Sequence, residues 1–185
     1  MSRPLERYLG TYLGLVERDG WEYATRTNAR AVAVLVPVTR EGRIVLVEQY
    51  RVPVQARVLE LPAGLVGDNE DADEPIAVAA QRELLEETGY RAGRLRRLLH
   101  CPSTAGLSDE MITFFLAEDL RREGPGGGDA SEDIEVHEVP LEAVDDWLGD
   151  RLEAGVLIDP KVYSALYWLD DRRRLEHLPG HRGGD

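Results

Sequence analysis

Three carboxylates crowd one short stretch of this chain, Arg82-Glu83-Leu84-Leu85-Glu86-Glu87-Thr88-Gly89. Glu83 and Glu87 are four residues apart, and Glu83 and Glu86 are three apart. On a helix those spacings place all three on one face. Arg82 can pair with Glu86 across one turn, which leaves two acids uncompensated. Hard divalent cations such as Mg²⁺ or Mn²⁺ would relieve the repulsion, because they prefer oxygen ligands. Glutamates near a helix C-terminus also oppose the helix dipole, so helix stability alone does not account for them. The spacing by itself equally suits a solvated acidic surface, and the rest of the chain must decide.

The carboxylates need a helix to carry them and a sheet to brace that helix. The segment 75–88 reads as the helix, with Pro75 suited to its start and Gly89 to its C-terminal stop. Upstream, residues 8–18 and 21–27 read as a hairpin closed by Asp19-Gly20. Apolar β-rich runs follow at 31–38 and 43–50, with a turn at Glu41-Gly42, and a short strand at 57–61 ends at Pro62. Beyond the helix, strands are expected near 94–100, 111–117 and 134–139. Helices are expected at 141–150 and 159–174. The run 124–131, Gly-Pro-Gly-Gly-Gly-Asp-Ala-Ser, reads as a flexible loop, and 179–185 as a disordered tail. The alternation predicts one α/β domain with a mixed sheet and an N-terminal hairpin extension.

The 185 residues suit one domain with a proper core. The formal net charge of −13 argues against nucleic acid or anionic membrane as a partner. A small anionic substrate would need divalent ions or local arginines to approach. The N-terminus lacks the apolar stretch of a signal peptide. With a single cysteine, Cys101, no internal disulfide can form, and a cytoplasmic setting is expected. Cys101 beside Pro102 reads as a small buried residue. His100, His137, His177 and His181 have no metal-like spacing and read as structural or surface groups.

The order Gly64, Glu74, then Arg82-Glu83-Leu84-Leu85-Glu86-Glu87-Thr88-Gly89-Tyr90 resembles the Nudix box of the Nudix hydrolases. Seven residues separate Glu74 from Arg82, as in that box. The upstream half departs from it: five residues after Gly64 lead to Glu70, so the chain carries a four-residue insertion within 68–73. Such length in a loop costs little. The resemblance implies a Nudix-like α/β/α sandwich and hydrolysis of a nucleoside-diphosphate compound at its pyrophosphate. Its branch looks like the ADP-ribose and nucleotide-sugar pyrophosphatases, through Leu46 to Gly64 and through Asp159 to Leu166. That resemblance divides the chain into an extension (1–28), a hydrolase domain (29–178) and the tail. It implies a homodimer formed through the extension.

The same resemblance assigns roles. The Ala63 carbonyl, Glu83, Glu86 and Glu87 would bind Mg²⁺ or Mn²⁺, with Arg82 among the catalytic residues. Arg51 and Arg26 would contact the diphosphate, as planar guanidiniums suit phosphate oxygens. Trp21 would stack on the base. The general base would be Glu132, after the glycine-rich loop, or Glu86. In Ser103-Thr104-Ala105-Gly106-Leu107-Ser108-Asp109-Glu110, Ala105 stands where the ADP-ribose branch tends to carry proline, while Gly106 and Glu110 remain as substrate contacts. ADP-ribose and GDP-mannose therefore both stay open as substrates. A non-catalytic ligand sensor of the same family is the competing class, and the intact glutamates argue against it.

Overall fold

The computed structural model describes residues 3–67, 73–128 and 133–170. The tail, His177, His181, Glu132, the end of the last expected helix and most of the 68–73 insertion lie outside the described residues.

The N-terminal extension is a three-stranded antiparallel sheet of β1 (Leu5–Leu9), β2 (Leu13–Arg18) and β3 (Trp21–Arg26). Its second turn is the expected one, with Asp19 and Gly20 both at positive φ, as a two-residue turn between twisted strands requires. The expected single strand over 8–18 is instead broken. Residues 10–12 turn the chain, and the Gly10 N–H donates to the Leu13 carbonyl at 2.8 Å. No Asn-Gly or Asp-Gly pair announces that turn, which is why strand propensity alone ran through it.

The expected single mixed sheet is two. One has the order β7 (Ala63–Val66), β4 (Ala31–Pro37), β10 (Met111–Glu118), β9 (Arg94–Pro102), with β4 and β10 parallel. The other has the order β12 (Glu135–Pro140), β5 (Arg43–Arg51), β6 (Ala56–Glu60), β13 (Leu157–Ile158). Strand β7 was not anticipated, since four residues after Pro62 carry little periodicity. Short β8 (Tyr90–Arg91) and β11 (Arg121–Arg122) pair with each other.

Strand alternation sorts β4 onto two cores. Val34 and Val36 meet Ile44, Leu46 and Leu59 of the second sheet. Val144 and Leu148 of α2 (Val144–Glu153) and Val162 and Ala165 of α3 (Pro160–Asp170) join that core. Ala33 and Leu35 point the other way, onto Ala79, Ala80 and Leu84 of α1 (Ile76–Thr88). Helix α1 is thus fixed by one apolar face against the first sheet, leaving its acidic edge beside β7. No described helix is long and apolar enough to cross a membrane.

Candidate active site

Helix α1 ends where Gly89 takes the left-handed conformation, φ 74°, and donates to the Leu85 carbonyl. The glycine run then docks on this end. Gly127 N–H donates to Glu87 O at 2.8 Å and Gly128 N–H to Glu86 O at 3.0 Å. A side chain on Gly126 would overlap the backbone of Thr88. Residues 124–128, expected to be flexible, therefore satisfy carbonyls that a helix end leaves unpaired. Those donors also offset the dipole that would otherwise disfavour the glutamates there.

The three glutamates are not equivalent. Glu87 is 5% exposed, and its Oε2 accepts the Ala63 N–H at 3.1 Å. Glu83 lies against β7 with its side chain 12% exposed. Glu86 is 53% exposed. Arg82 donates to Glu83 Oε1 at 2.7 Å and to Glu86 Oε2 at 3.2 Å. On its other side it meets Glu74 at 3.5 Å. Burial alone would lower the Arg82 pKa, but Glu74 and Glu83 outweigh it and raise it, so Arg82 stays charged. Glu74, placed after the insertion, is itself buried. It fixes Arg82 from behind.

Gly64 makes this possible. A Cβ there would overlap the Glu83 carboxyl group, so only glycine admits that carboxylate to the β7 backbone. We expect Gly64→Ala to displace Glu83 and to weaken metal affinity by about 10- to 100-fold, the scale of a misoriented ligand. A titration of metal-dependent activity that is unchanged in this variant would refute the role of the close approach.

These groups line one wall of a cavity of about 900 Å³. Arg51, Arg26 and Glu110 line it too. Arg51 pairs with Glu60 at 2.6 Å and Arg26 with Glu110 at 2.5 Å. Each guanidinium keeps donors beyond those pairs. The cavity also takes in Asp159 and Lys161, paired at 2.5 Å, which sequence reading left unassigned. Lys161 is the single lysine of the chain; that rarity was the available clue.

Two expected contacts are elsewhere. Trp21, at the far end of β3 from Arg26, is 67% exposed and does not line the cavity of its own chain. Gly106 sits in open space, in a loop that joins β3 through the Ala24 N–H donated to Leu107 O at 2.8 Å. Burial pushes the Cys101 thiol pKa up, against any role as nucleophile.

The donor set fits a hard divalent cation. Carboxylates and a backbone segment converge on one open side, and Mg²⁺ needs only one or two carboxylates because it retains several waters. Among the described residues no three acidic, histidine or cysteine side chains are already gathered as a metal-holding group.

Residues 28–164 match the family model for the NUDIX domain. The chain belongs to the Nudix family. It is 39% identical over 147 residues to an ADP-ribose pyrophosphatase of Bacillus subtilis (strain 168), covering 79% of this chain and 75% of that one. It is 38% identical over 171 residues to a GDP-mannose pyrophosphatase of Escherichia coli (strain K12), covering 88% and 84%. A methanol dehydrogenase activator of Bacillus methanolicus is 33% identical over 148 residues, covering 80% and 75%. The fold is also that of a crystal structure described as an ADP compounds hydrolase, with TM-score 0.64, 22% identity and 98% of each chain covered.

Proposed function

We propose that this protein is a metal-dependent Nudix pyrophosphatase that hydrolyses nucleoside-diphosphate sugars, yielding a nucleoside monophosphate and a sugar phosphate. The observation that carries this is the single cavity in which Glu83, Glu86 and Glu87 share the walls with Arg26 and Arg51. Such a cavity offers charge neutralisation on one side and phosphate-binding forks on the other. The pyrophosphatase names of two relatives support the same reaction class.

Mg²⁺, or Mn²⁺ in its place, would be held by Glu83, Glu86, Glu87 and the Ala63 carbonyl. When bound it would neutralise phosphate charge and make a coordinated water more acidic. Arg51 and Arg26 orient the diphosphate, exchanging part of their pairing with Glu60 and Glu110 for phosphate oxygens. Arg82 keeps Glu83 and Glu86 in place. Glu132 takes the proton from the attacking water, with Glu86 as the other candidate. Its position in the chain supports that role: it follows a glycine run tethered to the α1 end.

The protein acts as a homodimer in this reading. Leu5, Tyr8, Leu9, Tyr12, Leu13 and Trp21 are exposed on the extension, and large apolar side chains gathered on one element support an interaction surface there. Trp21 stacks on the base in the partner's cavity, and Gly106 and Glu110 shape the same end.

ADP-ribose is the first substrate to test, giving AMP and ribose 5-phosphate. GDP-mannose is the alternative that the similarly close relative and Ala105 favour. A panel of ADP-ribose, GDP-mannose, UDP-glucose, NADH and dinucleoside polyphosphates with Mg²⁺, resolved by chromatography, identifies the substrate. Failure to cleave any of them, with binding retained, would leave the sensor class standing instead. In the same assay Glu132→Gln should lose about 10²- to 10⁴-fold in turnover, as expected for a general base. If Glu86→Gln carries that loss and Glu132→Gln does not, the base is Glu86.

A further inference from the structure

The opposite face of the first sheet holds a second cavity, of about 530 Å³, that shares no lining residue with the first. Strand alternation separates them: Val32 and Ile112 face the active cavity, whereas Ala31 and Thr113 face this one. Its floor is apolar, from Ala31, Val66 and Ile76, and its rim carries Arg30, Arg97 and His100. In a chain of net charge −13, that grouping of cations is out of character. Asp73 is the sole carboxylate among its described lining residues.

Three features prepare it for an anion. The Arg97 side chain forms no ion pair or hydrogen bond among the described residues. Arg30 is anchored by donating to the Glu74 carbonyl, which uses one of its five N–H groups and leaves others for a ligand. Helix α1 begins at this cavity, and its N-cap residue Pro75 makes no side-chain hydrogen bond. The first helical N–H to find a partner is that of Val78, on the Pro75 carbonyl. Among the described residues the Ile76 and Ala77 N–H groups find no backbone partner, and they lie at the positive end of the helix dipole. Thr113, 3% exposed, sits at the base of the cavity with its hydroxyl 2.9 Å from His100 Nδ1.

We infer that this cavity is a binding site for a phosphate monoester, distinct from the active cavity. Two guanidiniums beside an uncapped helix start suit a tetrahedral dianion. The volume lies in the range of small-molecule pockets and exceeds what a bare phosphate fills. The apolar floor would then face the carbon skeleton of the ester. The site does not depend on which reaction the first cavity performs, because its test reads binding in the absence of metal.

The test is calorimetric titration of the metal-free full chain with ribose 5-phosphate, inorganic phosphate and ribose, beside the His100 ring resonance followed by NMR. Ribose 5-phosphate should bind and shift the His100 signal, and ribose should do neither. Equal binding of inorganic phosphate would identify free phosphate as the source of the ligand chemistry; weaker binding would identify the ester. Arg97→Glu, a change on an exposed edge-strand residue, should weaken binding by at least about tenfold through reversed charge. Arg51→Ala, in the other cavity, should leave both affinity and the His100 shift unchanged. Absence of phosphate-dependent binding, or binding insensitive to Arg97→Glu but lost in Arg51→Ala, would overturn the site.

Discussion

Glu87→Gln should abolish metal-dependent turnover, with a loss of about 10²- to 10³-fold or more in kcat/KM, equivalent to several kcal/mol of lost charge stabilisation. The substitution is nearly isosteric. The amide oxygen can still accept the Ala63 N–H that Glu87 Oε2 accepts at 3.1 Å. What disappears is a buried negative charge beside Glu83 and Glu86. In the metal-free protein the variant keeps the Ala63 acceptor and relieves repulsion from Glu83 and Glu86, so its thermal midpoint should stay close to that of the unaltered chain. Saturating Mg²⁺ should raise the midpoint of the unaltered chain and hardly move that of the variant, because a ligand stabilises only the state it binds. Full turnover in Glu87→Gln, or an equal Mg²⁺ shift in both proteins, would remove Glu87 from the metal site.

The second large effect is on stability. Glu48 of β5 is 1% exposed and is held by Arg57 at 2.6 Å and by Arg151 of α2, with His137 Nε2 at 3.3 Å. Arg57 also reaches Glu135 of β12 at 3.7 Å. Four elements, β5, β6, β12 and α2, therefore meet on one carboxylate. Removing one partner from a buried pair strands the other charges, which costs about 3–5 kcal/mol. Glu48→Ala should accordingly lower the thermal midpoint by roughly 6–20 °C in a domain of this size, with Glu48→Gln milder because it keeps an acceptor. A midpoint within experimental error of the unaltered chain would show that the network contributes nothing.

The same group sets an acid limit. Burial pushes the Glu48 pKa up, but the hydrogen bonds and charges of Arg57 and Arg151 outweigh it, and the net shift is downward. A carboxyl whose folded pKa lies below its unfolded one contributes stability above the unfolded value, near 4.3, and loses it as pH falls through the folded value. The thermal midpoint of Glu48→Gln should therefore fall less steeply as pH drops below about 4 than that of the unaltered chain.

Neither the Glu48 network nor the Arg97 cavity was legible in the sequence, and the reason is the same. Glu48 and Arg57 stand far along the chain from His137 and Arg151, as Arg30 does from Arg97 and His100. Short-range spacing carries no information on such encounters. The division into two sheets was also hidden. The parallel pairing of β4 with β10, rather than a continuous sheet through β5, is a long-range choice made by core packing. The break at residues 10–12 was missed for a local reason, the absence of a recognised turn pair.

By itself the sequence determined the chemistry of α1. Residues three and four apart must share a helix face whatever surrounds them, and the spacing of Glu74, Arg82, Glu83, Glu86 and Glu87 marked the family. Tertiary structure alone decided how those residues differ. It buried Glu87 against Ala63, left Glu86 in water, admitted Glu83 at Gly64, and set Glu74 behind Arg82. It also docked the glycine run on the helix end and brought Arg26, Arg51 and Lys161 into the same cavity. Burial and meeting in a cavity depend on which sheets and helices pack together, and that is fixed by the core as a whole.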